Sequence, residues 1–212
     1  MKITVIGSGT VGRTVSAGLA SRDHDVTLSS RSPDAQATWA SETGVRVNAP
    51  PGSSAGADVI VNATPGQSSI EALEGAGVKA LGKVVVLDLS NPLDFSTGTP
   101  RLSTGVDESQ AEAIQAAFPE ARVVKTLNTV NANVMTNPAS LSEPSVQFVC
   151  GNDSEAKKTV TDLLLGLGWQ TDQIIDLGDL SAARDTERYL MLWLRLMGSL
   201  GTAAFNIKLV RD

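Results

Sequence analysis

Three glycines near the start of the chain have the spacing of a phosphate-binding turn. Gly7, Gly9 and Gly12 lie in Gly7-Ser8-Gly9-Thr10-Val11-Gly12, a G-x-G-x-x-G pattern. The first glycine of this pattern permits a tight turn, the second lets the backbone approach a pyrophosphate, and the third lets a helix pack closely on a strand. The free N–H groups of that helix then face the phosphates. The pattern predicts dinucleotide binding by Gly7, Ser8, Gly9, Thr10, Val11 and Gly12.

The elements around this turn make the pattern informative. Lys2 to Ile6 is a short β-branched run typical of a buried strand, and Thr10 to Ser21 is a small-residue segment that predicts a helix. A glycine turn that follows a strand and opens a helix is the context that dinucleotide binding requires.

The end of the second predicted strand indicates which dinucleotide binds. Asp25 to Leu28 predicts that strand, and Ser29-Ser30-Arg31 follows it. An NAD site has a carboxylate there for the ribose 2′-hydroxyl. Serine hydroxyls and a guanidinium can instead bind a 2′-phosphate. The sequence therefore predicts NADP(H), with Ser30 and Arg31 at the phosphate. The alternative is that Arg31 is only a solvated residue that opens the next helix.

Three more strand ends carry a small polar residue beside a turn former. They are Asn62-Ala63-Thr64-Pro65-Gly66, Asp88-Leu89-Ser90-Asn91-Pro92-Leu93 and Lys125-Thr126-Leu127-Asn128-Thr129. Ligands of open α/β sheets bind at the carboxyl ends of the strands. We expect the ribose and nicotinamide of the cofactor to contact Ala63, Thr64, Pro65, Asn91 and Asn128. The alternative for each segment is an ordinary strand-terminating turn.

General acid–base chemistry has few candidates in this chain. His24, the only histidine, lies at the edge opposite the predicted cofactor, and Cys150 is expected in the core. No cluster of His, Cys and carboxylate residues has metal-ligand spacing, so no metal is predicted. Lys125 and Asn128 are the catalytic candidates. This set disfavours alcohol dehydrogenation and suits hydride transfer between two stacked rings, where positioning does most of the work.

Alternating strand-like and helix-like segments predict an α/β fold: a Rossmann-type doubly wound parallel sheet with a small, mainly helical C-terminal lobe. Residues 1–144 form the predicted NADP-binding domain, and residues 145–212 form the lobe. The further predicted strands are Val45–Asn48, Asp58–Ala63, Lys83–Leu89, Arg122–Leu127, Ser145–Cys150 and Gln170–Leu177. The further predicted helices are Pro33–Glu42, Ser68–Leu73, Asp107–Ala117, Ser154–Leu167 and Ser181–Leu200.

The predicted helix Ser181 to Leu200 is apolar on most sides. A helix of this kind is buried inside its own protein or against a partner. We expect it to contribute an acceptor groove and the contact of a symmetric homodimer. The alternative is a helix buried entirely within its own lobe.

Composition excludes several classes of protein. The chain has 212 residues, a net charge of −6 and 42% hydrophobic residues. The acidic balance argues against nucleic acid and anionic membranes as partners. A single cysteine, Cys150, cannot form an intrachain disulfide, and the chain starts directly with a strand. We therefore expect a cytoplasmic protein.

The sequence resembles the NADPH-dependent F420 reductases, also called coenzyme F420:NADP oxidoreductases. The resemblance covers nearly the whole chain. It rests on Ile6 to Gly12, Ser30-Arg31, Ala63-Thr64-Pro65, Asp88 to Pro92, Val124 to Thr129, Cys150 to Asp153 and Asp176 to Arg184.

The resemblance implies direct hydride exchange between NADPH and the deazaflavin coenzyme F420. It implies that Thr10, Val11 and Gly12 face the pyrophosphate, that Ser30 and Arg31 face the 2′-phosphate, and that Thr64 and Pro65 lie near the nicotinamide. The C-terminal helices would form the deazaflavin groove. Two other functions remain open: an NADPH-dependent reductase of an imine, quinone or flavin, and a non-catalytic NADP(H)-binding sensor.

Overall fold

The computed structural model describes residues 1–210 and contains one sheet of eight strands and a separate two-stranded hairpin. The strands are β1 Lys2–Ile6, β2 Asp25–Ser29, β3 Arg46–Asn48, β4 Val59–Asn62, β5 Val85–Asp88, β6 Leu93–Asp94, β7 Arg101–Leu102, β8 Arg122–Thr126, β9 Gln147–Gly151 and β10 Ile174–Asp176. The helices are α1 Thr10–Ala20, α2 Ala37–Thr43, α3 Ser69–Gly75, α4 Gln110–Ala117, α5 Ala132–Thr136, α6 Ser154–Gly166 and α7 Ala183–Leu200.

The sheet has the strand order β10-β9-β8-β5-β4-β1-β2-β3. Six of its strands, from β8 to β3 in that order, are mutually parallel. Strand order reverses at β1, which pairs with both β2 and β4. In doubly wound sheets this switch point opens a crevice at the carboxyl ends of the strands. The glycine turn after β1 lies at that crevice.

Both faces of the sheet are covered, which is why its central strands are continuous apolar runs. All four residues of β4 and all four of β5 are buried. On one face the core includes Val15, Leu19, Val134 and Leu163 from α1, α5 and α6. On the other face it includes Leu73, Ile114, Leu180 and Ala183. The predicted fold class is confirmed.

The segment after residue 144 adds strands to this same sheet. β9 pairs with β8 in antiparallel orientation, and β10 pairs with β9 in parallel. Helix α7 then packs against α4 and β7. The chain after α7 returns to the sheet, where the amide of Val146 donates to the carbonyl of Ile207 at 3.0 Å. The C-terminal part is thus mainly helical and also adds β9 and β10 to the edge of the sheet.

Most predicted elements form within a few residues of their expected ends, and the three that the sequence did not predict are β6, β7 and α5. The β6–β7 hairpin has strands of two residues each, too short for a periodic pattern. Helix α5 has only five residues, but Asn131 caps it by accepting from the amides of Asn133 and Val134. An asparagine at the N-cap position is a sequence signal for the start of a helix.

No helix within residues 1–210 is both long and apolar enough to cross a lipid bilayer.

Candidate cofactor-binding site

The predicted cofactor residues form one continuous row along the carboxyl edge of the sheet. The Ser30 hydroxyl, after β2, donates to the Ser8 hydroxyl, after β1, at 2.9 Å. The turn after β1 touches the turn after β4, and the amide of Gly66 donates to the carbonyl of Asn91 at 3.1 Å. Asn91, after β5, is hydrogen-bonded to Asn128, after β8. Segments far apart in sequence therefore line a single edge.

The three glycines of the turn have three different environments. Gly7 has φ +111°, and a Cβ there would lie 2.6 Å from the carbonyl oxygen of Ala63. A Cβ on Gly12 would lie 1.7 Å from the carbonyl oxygen of Gly7. A Cβ on Gly9 would meet no atom within 4 Å. Gly7 and Gly12 are thus required by protein packing, whereas Gly9 faces open space that fits a pyrophosphate.

The end of β2 presents one hydroxyl and one cation at the crevice. Ser30 is bonded to Ser8 and accepts from the amide of Ser32 at 3.2 Å. Arg31 is exposed, and none of the ion pairs within residues 1–210 includes it. Ser29 differs from the expectation, because its buried hydroxyl accepts from Ser53 at 2.9 Å. Ser30 is itself 3% exposed, so Arg31 is the side chain at this corner that is open to a phosphate, and binding of the 2′-phosphate by Ser30 and Arg31 stays a prediction.

Thr64 is held at the crevice by a buried asparagine. The amide oxygen of Asn62 accepts from the Thr64 hydroxyl at 2.7 Å and from the Thr64 backbone amide at 3.3 Å. The Asn62 side-chain amide donates to Ser69 and to Asp88. Pro65 is exposed and Thr64 is half-buried, so this turn is accessible from the crevice. Asn62 begins a predicted strand-end motif, and its role as the support of Thr64 is visible only in the structure.

Asn128 connects the sheet edge to α7. Its side-chain amide donates to the Asn91 side-chain oxygen at 3.0 Å and to the carbonyl of Thr186 at 3.1 Å. The preceding residue, Leu127, is buried and has φ 61°. A bulky residue in the left-handed region is strained, and such strain is concentrated at functional sites. The strain is consistent with a required orientation of Asn128 and gives no signal in the sequence.

Lys125 lies beneath this edge. Its ammonium donates to Asp88 Oδ2 at 2.8 Å, to Glu187 Oε1 at 2.8 Å and to the carbonyl of Ser90 at 2.5 Å. Burial alone would lower the pKa of Lys125, but the two carboxylates outweigh it and raise the pKa. A buried ammonium with three acceptors and a raised pKa is a poor proton donor to substrate, so the geometry argues against Lys125 as an acid.

The second half of α7 presents apolar side chains beyond the row. Leu190 and Trp193 are buried, and the Trp193 ring stacks on Phe205 at a centroid distance of 5.2 Å. Leu192 and Leu200 are 55% and 57% exposed. The chain after α7 therefore covers part of the apolar surface that we expected to be excess, and an exposed apolar strip remains.

The two other reactive side chains lie away from the row. His24 is half-buried in the turn before β2, at the amino edge of the sheet, as expected. Cys150 is fully buried in the core beneath α7. Burial raises the pKa of the Cys150 thiol to about 12. A thiol of this kind is structural and not nucleophilic.

This arrangement defines a doubly wound dinucleotide-binding protein, and sequence comparison identifies its family. The profile described as NADP oxidoreductase, coenzyme F420-dependent, matches residues 2–92. The F420-dependent NADP reductase of Methanocaldococcus jannaschii is 31% identical over 143 residues, which are 66% of this chain and 61% of that protein. The metalloreductase STEAP3 of Rattus norvegicus is 28% identical over 195 residues, 88% of this chain and 36% of that protein.

Comparison of structures gives the same relationship. The crystal structure of a candidate F420-dependent NADP reductase from Arthrobacter sp. FB24 is 46% identical, with a TM-score of 0.95 and 100% of both chains covered. An imine reductase from Pseudomonas sp. is 17% identical with a TM-score of 0.67 over 94% of this chain and 62% of that one, which shows a shared fold alone.

The chain belongs to the family of coenzyme F420-dependent NADP oxidoreductases. It spans between 26% and 61% of the length of the curated relatives that it matches.

Proposed function

We propose that this protein is an NADP(H)-dependent oxidoreductase that exchanges a hydride with a flat acceptor, of which coenzyme F420 is the first candidate. One observation carries the proposal: the row from Ser30 to Asn128 ends at α7, whose exposed strip is apolar. A dinucleotide laid along the row would have its nicotinamide end near the first turn of α7, and a second ring would pack against the apolar side chains that follow in this helix.

The described residues fit such a dinucleotide in order. Ser30 and Arg31 would hold the 2′-phosphate, and the segment from Gly7 to Gly12 would hold the pyrophosphate at the first turn of α1. Ala63, Thr64 and Pro65, with Asn91 and Asn128, would contact the ribose and nicotinamide. When bound, NADPH supplies a hydride, which carries two electrons.

The protein's own contribution is positioning. Lys125 offers no proton to the crevice, because its ammonium donates to three acceptors within the protein. His24 offers none either, because it lies at the opposite edge of the sheet. Hydride transfer between two stacked rings needs no protein acid, because the acceptor can take its proton from solvent. Correct placement of two bound rings can lower the barrier by about 7 to 11 kcal/mol. The absence of a proton donor among these candidates is therefore compatible with the reaction.

The test is oxidation of NADPH, followed at its own absorbance, with F420, flavin mononucleotide, a quinone and a cyclic imine in parallel. The proposal expects turnover with F420 well above that with the other three. Turnover with the imine or the quinone alone would identify a reductase of another small molecule. Tight NADPH binding without turnover of any acceptor would favour a redox sensor.

The proposal includes two properties of the whole molecule. The exposed apolar strip of α7 also supports a homodimer, in which a second subunit would cover the part of the strip that the acceptor leaves exposed. The single thiol, Cys150, is buried and needs no oxidising compartment, which supports a cytoplasmic location.

A further inference from the structure

Asp88, Lys125 and Glu187 form a buried ion triad that joins the sheet to α7. The three side chains are 0%, 0% and 1% exposed. Lys125 bridges the two carboxylates at 2.8 Å each. The Glu187 carboxylate also accepts from the backbone amides of Gln110 at 2.8 Å and Ala111 at 3.2 Å. Glu187 thus supplies, from α7, the negative charge that stabilises the first turn of α4.

The triad continues to the nicotinamide side of the candidate site. Asp88 Oδ1 accepts from the Asn62 side-chain amide at 2.7 Å, and Asn62 accepts from the Thr64 hydroxyl at 2.7 Å. An unbroken chain of polar side chains therefore leads from Thr64, at the crevice, to Glu187, on α7. The adjacent α7 residue, Thr186, is held through its carbonyl by Asn128.

Stability alone does not explain this arrangement. Desolvating two carboxylates and one ammonium is energetically unfavourable, and well-packed apolar residues often replace buried ion pairs without loss of stability. Burial raises the pKa of the Glu187 carboxyl, which indicates the same cost. Buried ionic groups with fully satisfied hydrogen bonds do define one arrangement of the elements that they join.

We propose that Lys125 and Glu187 are positioning residues that fix α7 relative to the carboxyl edge of the sheet. This inference rests on the proposed function, in which the apolar strip of α7 holds the acceptor and the edge holds the nicotinamide. The triad then sets the separation of the two rings. A misplacement of about 1 Å can lower a transfer rate by about a hundredfold.

The experiment measures two quantities in Glu187→Gln: NADPH affinity by titration, and the hydride-transfer rate in single turnovers with saturating acceptor. Glutamine has nearly the same shape as glutamate. Its side-chain NH2 group, however, would face another hydrogen-bond donor, either the Lys125 ammonium or the Gln110 backbone amide. We expect NADPH affinity within about twofold of wild type and a transfer rate lower by about tenfold to a hundredfold. The isotope effect with NADPH deuterated at the transferred position should rise in steady state, because transfer becomes rate-limiting.

Two matched variants control this result. Glu112→Gln removes a different carboxylate–cation contact, which joins Glu112 on α4 to Arg184 on α7 at 2.6 Å. Unlike the triad, this contact is partly exposed. Val160→Ala destabilises α6, on the opposite face of the sheet, without touching the triad. Both should keep the wild-type transfer rate in the folded protein. Equal loss in Val160→Ala would mean that general destabilisation is responsible and would overturn the inference.

A second measurement does not depend on the acceptor. Amide hydrogen exchange of residues 188–200 in the NADPH complex should accelerate in Glu187→Gln, while α1 stays protected. Glu187→Asp, which is one methylene shorter and less disruptive, should show a smaller change in the same direction. If wild type reduces no acceptor, the proposed function fails, and this exchange still tests the positioning role. Wild-type exchange in folded Glu187→Gln, or a wild-type transfer rate, would overturn the inference.

Discussion

Arg31 is the side chain on which we expect cofactor selectivity to depend. It is exposed beside Ser30, and no carboxylate follows β2 at the position where an NAD site has one. Charge-assisted hydrogen bonds contribute about 1.5 to 3 kcal/mol. Arg31→Ala should therefore weaken NADPH binding by about tenfold or more and leave NADH binding nearly unchanged. Calorimetric titration of both cofactors into both proteins measures this difference, and an equal loss for NADPH and NADH would contradict it.

Cys150 gives stability a measurable dependence on pH. Burial raises its pKa from 9.0 to about 12, so above pH 9 the unfolded chain loses a proton that the folded protein keeps. The contribution is fully present below pH 9 and is lost as pH rises toward 12. At about 1.4 kcal/mol per pH unit, roughly 2 to 3 kcal/mol should disappear between pH 9 and pH 11.

Urea unfolding of wild type and Cys150→Ala across that pH range isolates the thiol. Lys125 and Tyr189 also have raised pKa values, so both proteins should lose stability at high pH. The expected result is a steeper loss in wild type. Parallel slopes in the two proteins would mean that the thiol ionises in the folded state near its ordinary pKa.

At the scale of elements, the glycine turn joins β1 to α1, and different glycines in it serve ligand binding and packing. Gly9→Val should abolish NADPH binding while the protein keeps its melting temperature, because nothing lies within 4 Å of a Cβ there. Gly12→Ala should instead lower the melting temperature, because its Cβ would lie 1.7 Å from the Gly7 carbonyl oxygen. Thermal melting and NADPH titration of both variants check this contrast. NADPH affinity retained in folded Gly9→Val would mean that the phosphates bind elsewhere.

Local patterns in the sequence predicted the elements that line the crevice. The turn after β1 and the apolar runs of β4 and β5 have signals that depend only on neighbouring residues. Asn62 and Glu187 could not be assigned in this way, because the bond from Asn62 to Asp88 spans 26 residues and the bond from Lys125 to Glu187 spans 62. The positive φ of Leu127 could not be predicted either, because leucine rarely adopts that conformation. The antiparallel orientation of β9 likewise depends on tertiary pairing and not on its own composition.

At the scale of the whole molecule, the exposed strip of α7 should determine the oligomeric state. Leu192 and Leu200 are more than half exposed on a helix whose other apolar residues are partly covered by Phe205 and the returning chain. Large apolar side chains exposed on one helix favour an interface, and a symmetric dimer is the commonest way to cover them. We therefore expect a homodimer in solution at micromolar concentration.

Leu192→Glu tests the dimer, because it places a charge within the strip. Sedimentation velocity should show a dimer for wild type and a monomer for this variant. Leu165→Glu is the matched control: Leu165 is 38% exposed on α6, so its variant should remain dimeric. If wild type sediments as a monomer while the amides of α7 are fully protected from exchange, the helix is buried by its own chain alone. The dimer would then be excluded.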